Sequence, residues 1–287
     1  MAAGRVDIAA PAAAASGHFH LAVSQSPIRT DTVKRAMLTV LGMTIVGYIA
    51  ACVLLAVLQR SFLYFPQPAG NPRAAYVNLS SEGETLRLWS REQGADQAVL
   101  YFGGNGEDVS QEVDPLATAL PEWNAFALSY RGYGGSTGAP TERAIFADAL
   151  AAYDEVARTH RSVAVIGVSL GSGVATYVAA NRPVQQLVLV TPFDSILKVA
   201  QSHYRVFPLS LLMQDRFDSA SRVPQVKART LILIAEHDEI IPRERSLALV
   251  RAFPESQVTV RTIPGADHNT IATGEYWTEI RSFLSAP

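Results

Sequence analysis

The sequence predicts an α/β fold: a mostly parallel central sheet flanked by helices, preceded by one N-terminal transmembrane helix. Three observations carry this. Short apolar runs rich in Val, Ile and Leu recur from residue 98 onwards and alternate with helical segments, the pattern of a sheet buried on both faces. Residues 36–58 contain no charged side chain and no polar face. One apolar run, Val163 to Ile166, passes through Gly167-Val168-Ser169-Leu170-Gly171 directly into a helical stretch, which describes a strand turned sharply into a helix with serine at the apex.

The chain has 287 residues, which suits one α/β domain with a short extra segment. A net charge of −2 without basic runs excludes an electrostatic footprint for nucleic acid. The single cysteine, Cys52, excludes an intramolecular disulfide and any multi-cysteine metal site.

Residues 1–35 form an N-terminal tail, rich in Ala, Ser, Gly and Pro up to about Thr30 and without apolar period, and are expected to be disordered. His18 and His20 in this tail read as solvated. Residues 36–58, at about 1.5 Å per residue, are long enough to cross a hydrocarbon core of about 30 Å. Arg29, Lys34 and Arg35 before the span against Arg60 and Arg73 after it favour a cytoplasmic N-terminus, with the domain that follows the span outside, periplasmic in a bacterium. Ile49-Ala50-Ala51-Cys52 also resembles a lipoprotein cleavage box, although the residues after Cys52 stay apolar through Leu58; the other reading of Cys52 is a small apolar residue of a membrane helix.

The folded domain is expected over residues 62–287. Leu86–Ser90 alternates and reads as an antiparallel strand. Ala98–Phe102 is a buried strand running into Gly103-Gly104-Asn105-Gly106, and Ala125–Tyr130 is another, ending in Arg131-Gly132-Tyr133-Gly134-Gly135-Ser136. Thr141 caps a helix that continues to about Thr159. After the serine strand and its helix, Leu187–Val190 is a strand ending at Thr191-Pro192-Phe193-Asp194. Residues 195–227 are mixed; within them Phe207–Met213 reads equally as a short cap over an acyl pocket or as core. Leu231–Ala235 is a strand ending in Glu236-His237-Asp238, and Arg243–Arg251 is helical. Val258–Ile263 is the last strand, leading to Gly265-Ala266-Asp267-His268, and Glu275–Leu284 closes the chain as a helix.

Gly167 and Gly171 let the arms of the turn around Ser169 close on each other, the geometry of a nucleophile elbow. A serine nucleophile needs a base to take its proton and an acid to orient that base. Asp238 and His268 follow Ser169 in the order acid then base, each just after a strand. Asp194, after the strand that follows the elbow, is a rival acid; His237 and His203 read as loop or surface residues, His160 as a residue at a helix C-terminus, and Asp267 as a loop-shaping aspartate. The backbone N–H of Leu170 and that of Asn105 are the expected oxyanion donors. The glycines after Arg131 miss the dinucleotide and Walker patterns, and no His-Glu-x-x-His occurs, so no cofactor or metal is expected.

With these residues in place, the chain from about Phe62 onward resembles the membrane-anchored α/β-hydrolases whose eukaryotic relatives include protein depalmitoylases. Tyr130-Arg131-Gly132-Tyr133-Gly134-Gly135-Ser136-Thr137-Gly138 is similar to that family's Arg-Gly-Tyr-Gly-x-Ser-x-Gly loop, and Leu63-Tyr64-Phe65-Pro66, Pro192-Phe193-Asp194-Ser195 and Ile241-Pro242 also fit. The resemblance implies an α/β-hydrolase fold with Ser169 as nucleophile, Asp238 as acid and His268 as base. It departs at Gly103-Gly104-Asn105, where those relatives usually carry His-Gly-Asn; the backbone donor is retained, and the side-chain support of the loop is what changes. The expected activity is a membrane-anchored serine hydrolase acting on small-molecule or lipid acyl esters or thioesters through an acyl-enzyme. An aminopeptidase or amidase of the same fold, and a catalytically spent membrane-tethered interaction protein, are the alternatives.

Overall fold

The structure, a computed structural model, describes residues 30–71, 73–272 and 274–286. The expected disorder before residue 30, with His18 and His20, lies outside the described residues. The chain divides into two units, Met1–Ile49 and Ala50–Pro287. The described part of the first is helical and exposed throughout. It belongs to α1, Thr30–Leu63, whose most apolar window has a mean hydropathy of 2.5. The helix therefore runs past both ends of residues 36–58: residues 30–35, expected in the tail, are helical, and Phe62 lies in the last turn rather than opening the domain. Apolar length reports membrane thickness, whereas a helix continues until its backbone hydrogen bonds are interrupted.

The second unit is built on an eight-stranded sheet. Its strands are β1 Ala75–Ser81, β2 Glu84–Arg91, β3 Gln97–Phe102, β4 Asn124–Leu128, β5 Ser162–Val168, β6 Gln186–Val190, β7 Arg229–Ala235 and β8 Val258–Ile263. Their spatial order is β1-β2-β4-β3-β5-β6-β7-β8. β1–β2 and β2–β4 pair antiparallel, and every other pairing is parallel. The order predicts where the helices lie, because parallel crossovers are right-handed. The chain steps outward from β3 to β4 through α2, Val113–Ala119, then back past β3 to β5 through α3, Glu142–Ala157. The two helices thus cover opposite faces. α4, Leu170–Asn181, continues in the second direction and shares the face of α3.

Strand side chains sort by the same alternation. Ala98, Leu100 and Phe102 of β3 join the core under α3 and α4, while Val99 and Tyr101 join the core under α2 and the C-terminal helix α8, Gly274–Ser285. β3 and β5 are neighbours with Phe102 opposite Gly167, and the strand order reverses beside them. The carboxyl ends of strands at such a switch point leave a crevice between diverging loops. Residues 195–227, mixed in sequence, form α5 Ile196–His203, α6 Leu209–Leu212 and a 3₁₀ turn Ala220–Gln225. α7, Arg243–Val250, connects β7 to β8.

Candidate active site

Ser169 stands between β5 and α4 with φ 51° and ψ −117°, a backbone conformation that an L-residue holds only when its surroundings enforce it. The two glycines supply the enforcement. A Cβ on Gly167 would overlap the Gly171 carbonyl oxygen, and one on Gly171 would overlap the Phe102 carbonyl oxygen at the end of β3. The Ser169 N–H donates to the Val190 carbonyl at 2.9 Å, which fixes the elbow against β6.

His268 and Asp238 are brought to this serine from the loops after β8 and β7. His268 Nε2 lies 2.9 Å from Ser169 Oγ, and His268 Nδ1 lies 2.8 Å from Asp238 Oδ2. Asp238 Oδ1 accepts the N–H groups of Ile240 at 3.0 Å and Ile241 at 2.7 Å, leaving Oδ2 to take Nδ1–H. A carboxylate at Nδ1 favours the tautomer whose Nε2 lone pair faces the serine hydroxyl. The Asp238 side chain is 2% exposed, so its charge is aimed at the imidazole in a shielded place. Asp267 shapes the turn that presents His268. It accepts from the N–H groups of Asn269 and Thr270 at 2.8 and 2.9 Å, and these bonds hold its carboxyl below the ordinary range.

The other sequence candidates lie elsewhere. Asp194 is buried in ion pairs with Arg245 at 3.3 Å and Lys198 at 3.2 Å and accepts the Ser195 N–H. His237 is exposed beside Glu236. His160 sits past the C-terminus of α3, with Nδ1 on the Val156 carbonyl and Nε2 on the Asn124 amide. His203 is exposed, reaches the Ile240 carbonyl at 3.1 Å, and borders the cavity described below. Arg131 is held bidentate by buried Asp148, at 2.6 and 2.7 Å, and also meets Glu82.

Leu170 opens α4, so its N–H has no acceptor within the helix. The loop after β3 is pinned from three sides. The Tyr130 hydroxyl donates to the Gly103 carbonyl at 2.9 Å, and the Tyr133 hydroxyl to the Asn105 carbonyl at 2.7 Å. Glu107 Oε2 accepts the Gly104 N–H at 2.7 Å while its Oε1 accepts the Tyr101 hydroxyl at 2.6 Å. The Asn105 N–H has no acceptor among the described residues.

A cavity of about 990 Å³ opens at Ser169 and His268. One part of its wall is apolar. Another carries Tyr101, Glu107, Glu112 and Tyr276, residues that sequence reasoning passed over. Burial raises the Glu112 carboxyl to about 7, with the neighbouring charges of Glu107 and Asp108 adding to the effect. Burial also raises Glu107, against the opposing hydrogen bonds from Tyr101 and Gly104. The Gly-Glu-Asp sequence following Asn105 was the available signal for Glu107, but its bonds depend on how the loop closes.

The family profile described as alpha/beta hydrolase fold matches residues 97–209. An uncharacterized protein of Mycobacterium tuberculosis is 35% identical over 228 residues, 74% of this chain and 80% of that relative. The lysophosphatidylserine lipase ABHD12 of Gallus gallus is 31% identical over 191 residues, 54% of this chain and 50% of that relative. Among solved structures, the Pyrococcus furiosus esterase Pf2001 superposes with a TM-score of 0.65 at 18% identity, covering 77% of this chain and 96% of the esterase. Est1E from Butyrivibrio proteoclasticus, solved with ferulic acid, superposes with a TM-score of 0.60 at 16% identity, covering 72% and 97%.

Proposed function

Since this chain belongs to the α/β-hydrolase fold family, we propose that it is a serine hydrolase cleaving carboxylic ester or thioester bonds, with Ser169, His268 and Asp238 as its catalytic triad. The observation that carries the reading is the continuous hydrogen-bond chain Ser169–His268–Asp238, at 2.9 and 2.8 Å. Ser169 Oγ attacks the acyl carbonyl carbon while His268 Nε2 takes the hydroxyl proton. Asp238 stabilises the imidazolium that forms. The carbonyl oxygen, now anionic, is held by the N–H groups of Leu170 and Asn105. Collapse breaks the bond to the alcohol or thiol, which leaves with the proton from His268. Water then attacks the acyl-serine, with His268 again taking a proton and returning it to Ser169 Oγ, and the carboxylic acid departs. Esterases among the structural neighbours and a lipase among the relatives support an ester reading. The intact triad geometry favours turnover over a spent interaction domain.

α1 is the membrane anchor in this reading, supported by its most apolar window, which has a mean hydropathy of 2.5 and none of its residues buried. Arg29, Lys34 and Arg35 put its N-terminus in the cytoplasm and the hydrolase outside. The catalytic assignment is tested with a fluorophosphonate probe and a short 4-nitrophenyl ester. Both labelling and turnover are expected in the wild type and lost in Ser169→Ala, and a wild type that is folded but unlabelled refutes it. The topology is tested by a C-terminal reporter active only outside the cytoplasm; silence of a stably produced fusion reverses the orientation.

A further inference from the structure

The end of α1 is built into the catalytic unit. Gln59 Nε2 donates to the Leu212 carbonyl at 3.1 Å, and Gln59 Oε1 accepts the Gln214 N–H at 2.7 Å, so one amide bridges both backbone groups like an added strand residue. One helix position later, Arg60 meets Asp215 at 3.1 Å and Gln214 at 3.1 Å, and the Tyr64 hydroxyl donates to the same Asp215 at 3.0 Å. The Asp215 side chain is 7% exposed, which makes this a shielded clamp rather than a surface pair. Clamped in this way, Leu55, Phe62 and Leu63 of α1 line the cavity that opens at Ser169, together with Leu209, Leu212 and Met213.

Leu55 belongs to the uncharged stretch 36–58, about 5 Å along the helix axis before its end. The apolar wall of the cavity therefore begins within the segment that the bilayer surrounds. Around the same end of the helix, large apolar side chains face outward: Leu54, Leu58 and Phe62 on α1, with Tyr204, Val206 and Leu211 on the segment between α5 and α6 and on α6 itself, Leu211 being 83% exposed. A collar of this kind is costly in water and favourable at the border of the hydrocarbon. Phe62 belongs to both sets, outward-facing and lining the cavity, so the collar and the cavity are continuous.

We propose that the last turns of the anchor helix form a wall of the acyl-binding site, and that the substrate is a long-chain acyl ester of a membrane lipid whose chain slides from the bilayer along Phe62 into the cavity. The anchor is then part of the substrate site as well as a tether. This rests on the serine-hydrolase reading above and specifies its substrate. The polar wall with Tyr101, Glu107 and Glu112 is left for the headgroup side of the ester.

The test uses the full chain in phosphatidylcholine nanodiscs with 4-nitrophenyl acetate and with a palmitoyl monoacylglycerol placed in the disc. The wild type is expected to turn over both. Leu55→Trp and Leu63→Trp fill the cavity from the helix side and are expected to lower the palmitoyl-to-acetyl ratio of kcat/KM at least tenfold. Phe62→Ala, at an exposed position where truncation leaves the fold intact, is expected to lower palmitoyl turnover about threefold. Leu54→Trp, on the outward face, leaves the ratio unchanged. A palmitoyl-to-acetyl ratio that stays constant in Leu63→Trp and Phe62→Ala overturns the proposal, as does a wild type active on acetate and inactive on the lipid. Faster cleavage of a membrane-bound palmitoyl-cysteinyl peptide than of the lipid at equal mole fraction overturns the lipid assignment. Failure of acetate turnover in the wild type is a separate outcome that removes the hydrolase reading itself, and the inference with it.

Discussion

Asp238, the proposed acid of the triad, is held in place by its second oxygen. Oδ1 is occupied by the Ile240 and Ile241 amides, so the carboxylate does not rotate away from His268. Asp238→Asn preserves the shape but presents an amide to Nδ1, and is expected to lower kcat on the order of 10⁴-fold with KM little changed, read from steady-state ester hydrolysis. Glu107 would act at one remove in the proposed mechanism, by accepting the Gly104 N–H of the loop that carries Asn105. A Cβ at Gly103 would meet Val109 and Glu107, so the space of the histidine usual in the resembling family is filled from below by these side chains. Glu107→Ala is expected to lower kcat about tenfold, and Glu107→Gln, which retains an acceptor, to restore most of it. Glu112 gives a pH signature. Its folded carboxyl is raised to about 7 from an ordinary value of 4.5. Between those limits the folded state binds more protons than the unfolded, so stability falls as pH rises through that window. Glu112→Gln is expected to raise Tm at pH 8 and to leave it unchanged at pH 4.

At the scale of elements, the loop that follows β4 is secured by the Arg131–Asp148 pair, with Asp148 fully buried in α3. Arg131→Met leaves that carboxylate without its partner, and is expected to cost ~3–5 kcal/mol in denaturant unfolding. The elements legible in sequence were those whose side chains do one thing. β8 was expected from Val258 to Ile263 and spans those residues, because its alternation and its length are both unambiguous. The capping of α3 by Thr141 was equally readable, its hydroxyl accepting the Ala144 N–H at 3.2 Å. β1 escaped notice because Ala75–Ser81 is an edge strand with an almost wholly exposed pattern, which leaves no buried face to write a period of two. α2 escaped because seven residues containing Pro115 are too few to show a helical stripe.

For the whole molecule, the order of Ser169, Asp238 and His268 was legible because parallel strands deliver their loops to one edge of the sheet, and sequence order becomes spatial order from β5 to β8. The choice between Asp194 and Asp238 was weighed from strand position; in the structure the Arg245 guanidinium and the Lys198 ammonium pair with Asp194, while Asp238 meets His268. The clamp between α1 and the segment after α6 was not legible, since Gln59 and Gln214 are distant in sequence and carry no local pattern that pairs them. It has a whole-molecule consequence: Asp215→Asn is expected to lower Tm in nanodiscs by several degrees while a fluorophosphonate probe still labels Ser169, because Arg60 and Tyr64 lose a shared charge that none of Ser169, His268 and Asp238 contacts.

The strand order also bears on when the proposed site can be complete. Ser169, the proposed nucleophile, arrives with β5, whereas His268, the proposed base, follows β8 at the sheet's edge. A nascent chain that has emerged as far as β7 already has the elbow serine and α1, but not His268. Under the proposed mechanism, hydrolysis therefore waits for β8 and the loop that follows it, however early α1 and the elbow have formed.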